Sequence, residues 1–155
     1  MNDPIVRHLQ LNDLEGLLEL YANHLFEEGD LPPPDAESLR AVWAEICANP
    51  RIRYFGVIVD DKPVSSCNVT IVPNLTRGAS PFGLIENVVT HREYRGRGLA
   101  TAVLKETLAY AWRHRCYKVM LLSSSRRFFA HGLYEKVGFS KEQKIGYVIE
   151  APPRG

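Results

Sequence analysis

Hydrophobic and polar positions alternate along this chain with two periods, and the changes of period mark the elements. Residues 5–9 read as a first short strand. Leu14, Leu17, Leu18, Tyr21 and Leu25 then recur at helical spacing. They predict a helix capped by Asn12 or Asp13 and ending near Phe26. The stretch EGDLPPPD at 28–35 is a loop, because consecutive prolines cannot sit inside a helix. Asp35 can cap a second helix running to about Ala48, which Asn49 and Pro50 end.

The period then shortens to two. Residues 54–60 and 64–72 read as strands joined by a turn at Asp60, Asp61, Lys62 and Pro63. In the second of these strands Cys67, Val69 and Ile71 face one way, and Ser66, Asn68 and Thr70 the other. A polar loop at 73–81 precedes a third strand at 84–90. Helical spacing returns with Ala100, Val103, Leu104, Thr107, Leu108, Ala111 and Trp112. The apolar run 117–122 predicts a buried strand. Residues 126–137 predict a helix ended by Gly138, and 145–149 a final strand. The expected fold is therefore α/β, a mixed sheet in one domain over residues 1–155. Antiparallel strands come first, then a parallel pair joined through a helix.

Composition narrows the class. With 155 residues, 45% hydrophobic and 24% charged, the chain has the balance of a soluble globular domain. That excludes a disordered chain, a collagen-like fibre and a disulfide mini-protein. No apolar run approaches the roughly 18 residues that span a bilayer. The segment MNDPIVRHLQ carries no secretory signal pattern. Cys47, Cys67 and Cys116 are few and scattered, as expected of reduced thiols in a cytoplasmic protein, and no metal site is expected.

The net charge of +1 hides a division. Residues 1–61 carry 12 acidic and 4 basic side chains, and residues 62–155 carry 6 and 15. An anionic ligand would therefore be held by the second part. The basic residues form no block, so nucleic acid is not the expected partner, and neither is a membrane.

The segment that carries chemistry is VVTHREYRGRGLA at 88–100, between a strand and a long helix. Gly96 and Gly98 let successive backbone N–H groups converge. The helix start behind them offers unpaired N–H groups and the positive end of its dipole. Together they make a socket for a pyrophosphate, to which Arg95 and Arg97 add charge. The pattern is neither a Walker A loop, since no Gly-Lys-Ser/Thr closes it, nor the usual dinucleotide fingerprint.

This segment resembles the acyl-CoA signature of the GNAT superfamily of N-acetyltransferases, Arg/Gln-x-x-Gly-x-Gly/Ala, matched by Arg95, Gly98 and Ala100. Downstream, LYEKVGF at 133–139 resembles a second family segment, and one helix and one strand separate the two. The resemblance implies acetyl-CoA as co-substrate and direct transfer to a primary amine. Backbone groups of Val88, Val89 and Thr90 would pair with the pantetheine arm like an added strand. Backbone N–H groups of Arg95, Gly96, Arg97, Gly98, Leu99 and Ala100 would hold the pyrophosphate.

Two residues are the catalytic candidates. Tyr134 matches the family tyrosine that gives a proton, or a hydrogen bond, to the departing thiolate; otherwise it is a packing tyrosine. Glu86 is the sole acid between Asp61 and Glu93. A carboxylate there can take the proton an ammonium must lose before it attacks, or it serves as an ion-pair partner or exposed strand residue. His91, His131, Cys116 and the serines at 123–125 are weaker candidates, as a titrating loop group, a pocket lining, a nucleophile and donor contacts.

Short stretches around Glu86 and Lys118 are similar to those of glucosamine-phosphate N-acetyltransferases. An aminosugar phosphate would need cations, and Arg77, Arg126 and Arg127 are available. A peptide or another small amine stays open as acceptor. A non-catalytic acyl-CoA-binding module is the alternative to an enzyme, and a homodimer through the final strand is a further expectation.

Overall fold

In a computed structural model that describes residues 4–27, 30 and 32–154, the chain divides into two compact units, Met1–Leu121 and Leu122–Gly155. Among the described residues the first is built on a five-stranded mixed sheet in the order β1-β2-β3-β4-β5. Its strands are β1 (Val6–His8), β2 (Ile52–Val59), β3 (Lys62–Val72), β4 (Phe82–Thr90) and β5 (Val119–Leu121). The first four pair antiparallel, and β5 joins β4 in parallel.

The β2–β3 turn forms where the sequence places it. Asp60 and Asp61 take φ values of 48° and 61°, the left-handed pair that matches the twist of the flanking strands. Helix α1 (Leu14–His24) follows a 3-10 turn at Leu11–Asp13. Helix α2 (Ala36–Ala48) starts at Asp35, whose carboxylate accepts from the Ser38 N–H at 2.9 Å, as a cap should. Asp13 behaves otherwise. Instead of capping α1, it is buried and accepts two hydrogen bonds from the Arg7 guanidinium at 2.8 Å and one from the Gln10 N–H at 2.6 Å. Glu28, Gly29 and Leu31 of the predicted proline-rich loop lie outside the described residues.

Each face of the sheet has its own cover. On one, Leu9, Leu17, Leu20, Trp43 and Val89 form a buried cluster with Tyr21 and Tyr54 against it. The Trp43 indole donates to the Gln10 carbonyl at 3.2 Å. On the other lies α4 (Leu99–Arg113), counting as α3 the short turn Thr76–Ala79, with Val103, Leu104, Thr107 and Ala111 buried. Cys67 Sγ meets Thr107 Oγ1 at 3.2 Å, and Phe55 stacks edgewise on Tyr110 at 5.5 Å. The alternation in β3 is thus as read: Cys67 faces α4, while Asn68 faces the α1–α2 side. Each fully buried aliphatic side chain stabilises the fold by about 1.5–3 kcal/mol.

Two expectations need correction. The run 117–122 is a three-residue edge strand, half-buried rather than buried, with Leu122 57% exposed. An edge strand has one neighbour and one open side, so its residues cannot be covered as an interior strand's are. Residues 145–149 form no strand in the second unit; Tyr147 and Ile149 are 91% and 96% exposed. Apolar alternation supplies the face of a strand but not the neighbour that its backbone must pair with. The element that does form in this unit is α5 (Phe128–Val137), ended by Gly138 at φ 113°.

Candidate active site

The site is built on β4. Its first half is covered by β5, with Gly83, Leu84 and Ile85 opposite Val119, Met120 and Leu121. There β5 stops, so among the described residues the outer edge of 86–90 has no strand partner. An unpaired edge of this kind is a template for an extended ligand.

A bulge sets which groups face that edge. Asn68 pairs with Glu86 and Ser66 with Val89, so Asn87 and Val88 together oppose Cys67 alone. Asn87 takes the left-handed conformation, φ 55°. Before the bulge, the Gly83 N–H donates to the Lys118 carbonyl at 2.9 Å, so residues 83 and 85 turn toward β5. After it, the His91 N–H donates to the Val64 carbonyl at 2.8 Å, and the Val89 carbonyl accepts from Ser65 Oγ at 3.3 Å. Val89 and His91 therefore turn toward β3, which leaves Val88 and Thr90 turned toward the open edge. Of the three residues expected to pair with a donor, the geometry presents two along the edge and packs Val89 into the core.

The open edge leads to the glycine loop. Arg92–Tyr94 make a 3-10 turn, capped by His91, whose Nδ1 accepts from the Glu93 N–H at 3.2 Å. Arg95 Nε donates to the Thr90 carbonyl at 3.2 Å and clips the loop to the strand end. Arg97 lies over the Tyr94 ring at 5.0 Å. Gly96 and Gly98 have φ values of 73° and 76°, which a side chain would strain, and a Cβ on either meets nothing within 4 Å. Gly98 caps α4 without any side-chain hydrogen bond. The first backbone bond of the helix runs from the Ala102 N–H to the Gly98 carbonyl at 3.0 Å. Among the described residues, the N–H groups of Gly96, Arg97, Gly98, Leu99 and Ala100 donate to no protein acceptor. Free amides, a helix N-terminus and two flanking guanidinium groups fit a diphosphate.

Glu86 is exposed. It stands in a row with Tyr54 and Asn68 across three strands, on the α1–α2 side of the sheet. Asn87 joins this row, its Nδ2 donating to Asn68 Oδ1 at 3.0 Å. Burial pushes the Tyr54 phenol above its ordinary pKa, while a hydrogen bond with Asn87 opposes that shift. His24 packs against His91, with ring centres 4.1 Å apart and the planes tilted by 54°. Burial, then the guanidinium groups of Arg92 and Arg95 nearby, lower its affinity for a proton. Tyr54, Asn68 and Asn87 stand beside Glu86 in the candidate site and were not singled out from the sequence. The available signal was an asparagine inside a strand, a residue depleted there and tolerant of left-handed backbone.

The weaker candidates separate. Burial raises the Cys116 thiol's pKa, so it is not poised as a thiolate nucleophile. Arg77 lies over the Tyr117 ring at 5.7 Å. In the second unit, Ser124 Oγ accepts from the Arg126 N–H at 3.3 Å, and the Ser124 carbonyl meets His131 Nε2 at 3.1 Å. Tyr134 is half-buried on α5 and meets Phe139 edgewise at 6.2 Å. Among the described residues no cluster of His, Cys, Asp and Glu is arranged to hold a metal, and no helix is long and apolar enough to cross a membrane.

A mixed sheet with an open stretch of edge on β4 and a glycine loop at a helix start fits an acyl-CoA-type transferase scaffold, and known proteins agree. The acetyltransferase (GNAT) family model matches residues 15–139, so the chain belongs to the GNAT acetyltransferase family. It is 32% identical over 146 residues to a glucosamine 6-phosphate N-acetyltransferase of Trypanosoma brucei brucei, covering 90% of each chain. A solved chain from Agrobacterium tumefaciens str. C58, described as an acetyltransferase, shares 38% identity with a TM-score of 0.85, over 95% of this chain and 99% of that one. The glucosamine-6-phosphate N-acetyltransferase of Arabidopsis thaliana has the same fold, with a TM-score of 0.75 at 23% identity over 99% of each chain. The protein is thus an acetyltransferase, of a family whose members use acetyl-CoA.

Proposed function

We propose that residues 1–155 act as one N-acetyltransferase domain that moves the acetyl group of acetyl-CoA to the primary amine of an aminosugar phosphate. The observation that carries this reading is the continuity between the open edge of 86–90 and the free amides of the glycine loop. Acetyl-CoA supplies an activated thioester. The N–H groups of Gly96, Arg97, Gly98, Leu99 and Ala100 hold its pyrophosphate, with charge from Arg95 and Arg97. Val88 and Thr90 align the pantetheine amides. Glu86 takes the proton the amine must lose, directly or through a water, as the nitrogen bonds to the carbonyl carbon. As the C–S bond breaks, the thiolate takes a proton from Tyr134, a role assigned on the LYEKVGF segment alone.

The acceptor class is favoured by the relative named for glucosamine 6-phosphate. Arg77, Arg126 and Arg127 are the candidate phosphate partners. The test is a thiol-release assay with glucosamine 6-phosphate, glucosamine, a polyamine and a short peptide. Turnover with the sugar phosphate at least about tenfold above glucosamine is expected, the difference a charge-assisted contact makes. Equal rates for the two sugars remove the phosphate from the reading. Acetyl-CoA binding without thiol release from any amine makes the protein a sensing module. We also propose a homodimer, since Ile145, Tyr147, Val148 and Ile149 form an apolar exposed stretch. Sedimentation equilibrium returning 17.5 kDa at micromolar protein would refute it.

A further inference from the structure

Strand β4 reverses phase at its bulge, and one side chain is placed to hold the reversal. A regular strand would keep residues 87 and 89 turned toward the open edge, as 83 and 85 are toward β5. The observed bonds at Val89 and His91 show the opposite order. Asn87 absorbs the change in a left-handed conformation that asparagine tolerates better than most residues. Its amide is fixed by Asn68, itself buried and seated in the row with Tyr54. Tyr54 is braced in turn by the edge of Trp43, with ring centres 5.1 Å apart.

We infer that Asn87 is a positioning residue: its side chain, latched to Asn68, holds the register that turns Val88 and Thr90 toward the donor. The residue touches no reacting atom in this account. It acts through backbone direction on the residues that follow it. The functional half of the inference rests on the acetyl-transfer reading; the phase-setting half does not.

Amide hydrogen exchange and steady-state kinetics on the full chain test both halves. In the unaltered protein, Val89 and His91 should exchange slowly while Val88 and Thr90 exchange fast. Asn87→Gly keeps the backbone freedom and removes the latch, and Asn68→Ala removes its partner. Each should speed exchange at Val89 and His91 by about tenfold, leaving Leu104 in α4 unchanged as the sign of an intact core. Each should lower kcat by about ten- to a hundredfold, the cost of a small misplacement. Combining the two should cost no more than either alone, because both break one contact. Asn87→Asp, which can still accept from a turned Asn68 amide, should recover most of kcat. Exchange and kcat within about twofold of the unaltered protein in both single variants would overturn the latch. Lost protection with unchanged kcat would overturn the positioning role. The exchange arm needs no acetyl-CoA, so a chain that fails to bind the donor yet loses protection at Val89 refutes the acetyl-transfer reading and keeps the latch.

Discussion

Replacing Gly98 by alanine separates a turn that merely needs glycine from one that grips a ligand. Gly98 sits at φ 76° at the head of α4, and an added Cβ would meet nothing within 4 Å. The substitution therefore meets no steric clash inside the protein and costs only the left-handed strain, about 1–2 kcal/mol. In a chain of 155 residues that corresponds to a fall in Tm of about 2–8 °C. Gly78 is a matched control, at φ 68° with the same empty surroundings, in the α3 turn away from the loop. Gly78→Ala should lose similar stability. The two should part on ligand. If the loop amides hold a diphosphate, a Cβ at position 98, in space that no protein atom fills, competes with it, or else the turn relaxes and the amides diverge. Either way acetyl-CoA affinity should weaken at least tenfold, about 1.4 kcal/mol, against no change for Gly78→Ala. Scanning fluorimetry reads the first quantity and calorimetric titration the second. Unchanged affinity in Gly98→Ala, with both proteins folded, would refute the cradle.

Three further outcomes are expected. Glu86→Gln should lower amine acetylation by about a hundredfold, within the range of general base catalysis, and leave acetyl-CoA affinity unaltered; a thiol-release rate equal to the parent's removes Glu86 from the reaction. Tyr134→Phe should slow thiol release without weakening donor binding, and equal rates would return this tyrosine to a packing role. The Arg7 guanidinium, then the Gln10 N–H, hold the Asp13 carboxyl below the usual range against the opposing effect of burial. A depressed folded value means stability that is present above the unfolded value of about 3.9 and is lost as pH falls toward the folded one. Asp13→Asn should flatten that acid limb in urea titrations and cost about 2 kcal/mol at pH 7, less than a fully buried pair because Arg7 is 39% exposed. An unchanged limb would show that other carboxylates govern it.

Elements with a strong local period were legible from the sequence: α4, the β2–β3 hairpin with its aspartate turn, and α2 behind its Asp35 cap. Each is decided by contacts within a few residues. The glycine loop was legible for the same reason, since left-handed turns and a helix start are local features. What escaped depends on distant partners. Asp13 reads as a cap until Arg7 is found beside it. Residues 145–149 have the face of a strand and no neighbour to bond. The bulge at Asn87 is fixed by Asn68 from another strand, so nothing adjacent in sequence announces the phase reversal that decides which amides face the open edge.

Backbone amide shifts during an acetyl-CoA titration bear most directly on where the donor lies. The account predicts saturable changes concentrated at Gly96, Gly98, Leu99 and Ala100 and at Val88 and Thr90, with Val89 far less affected. Saturation with those loop amides unmoved would contradict it.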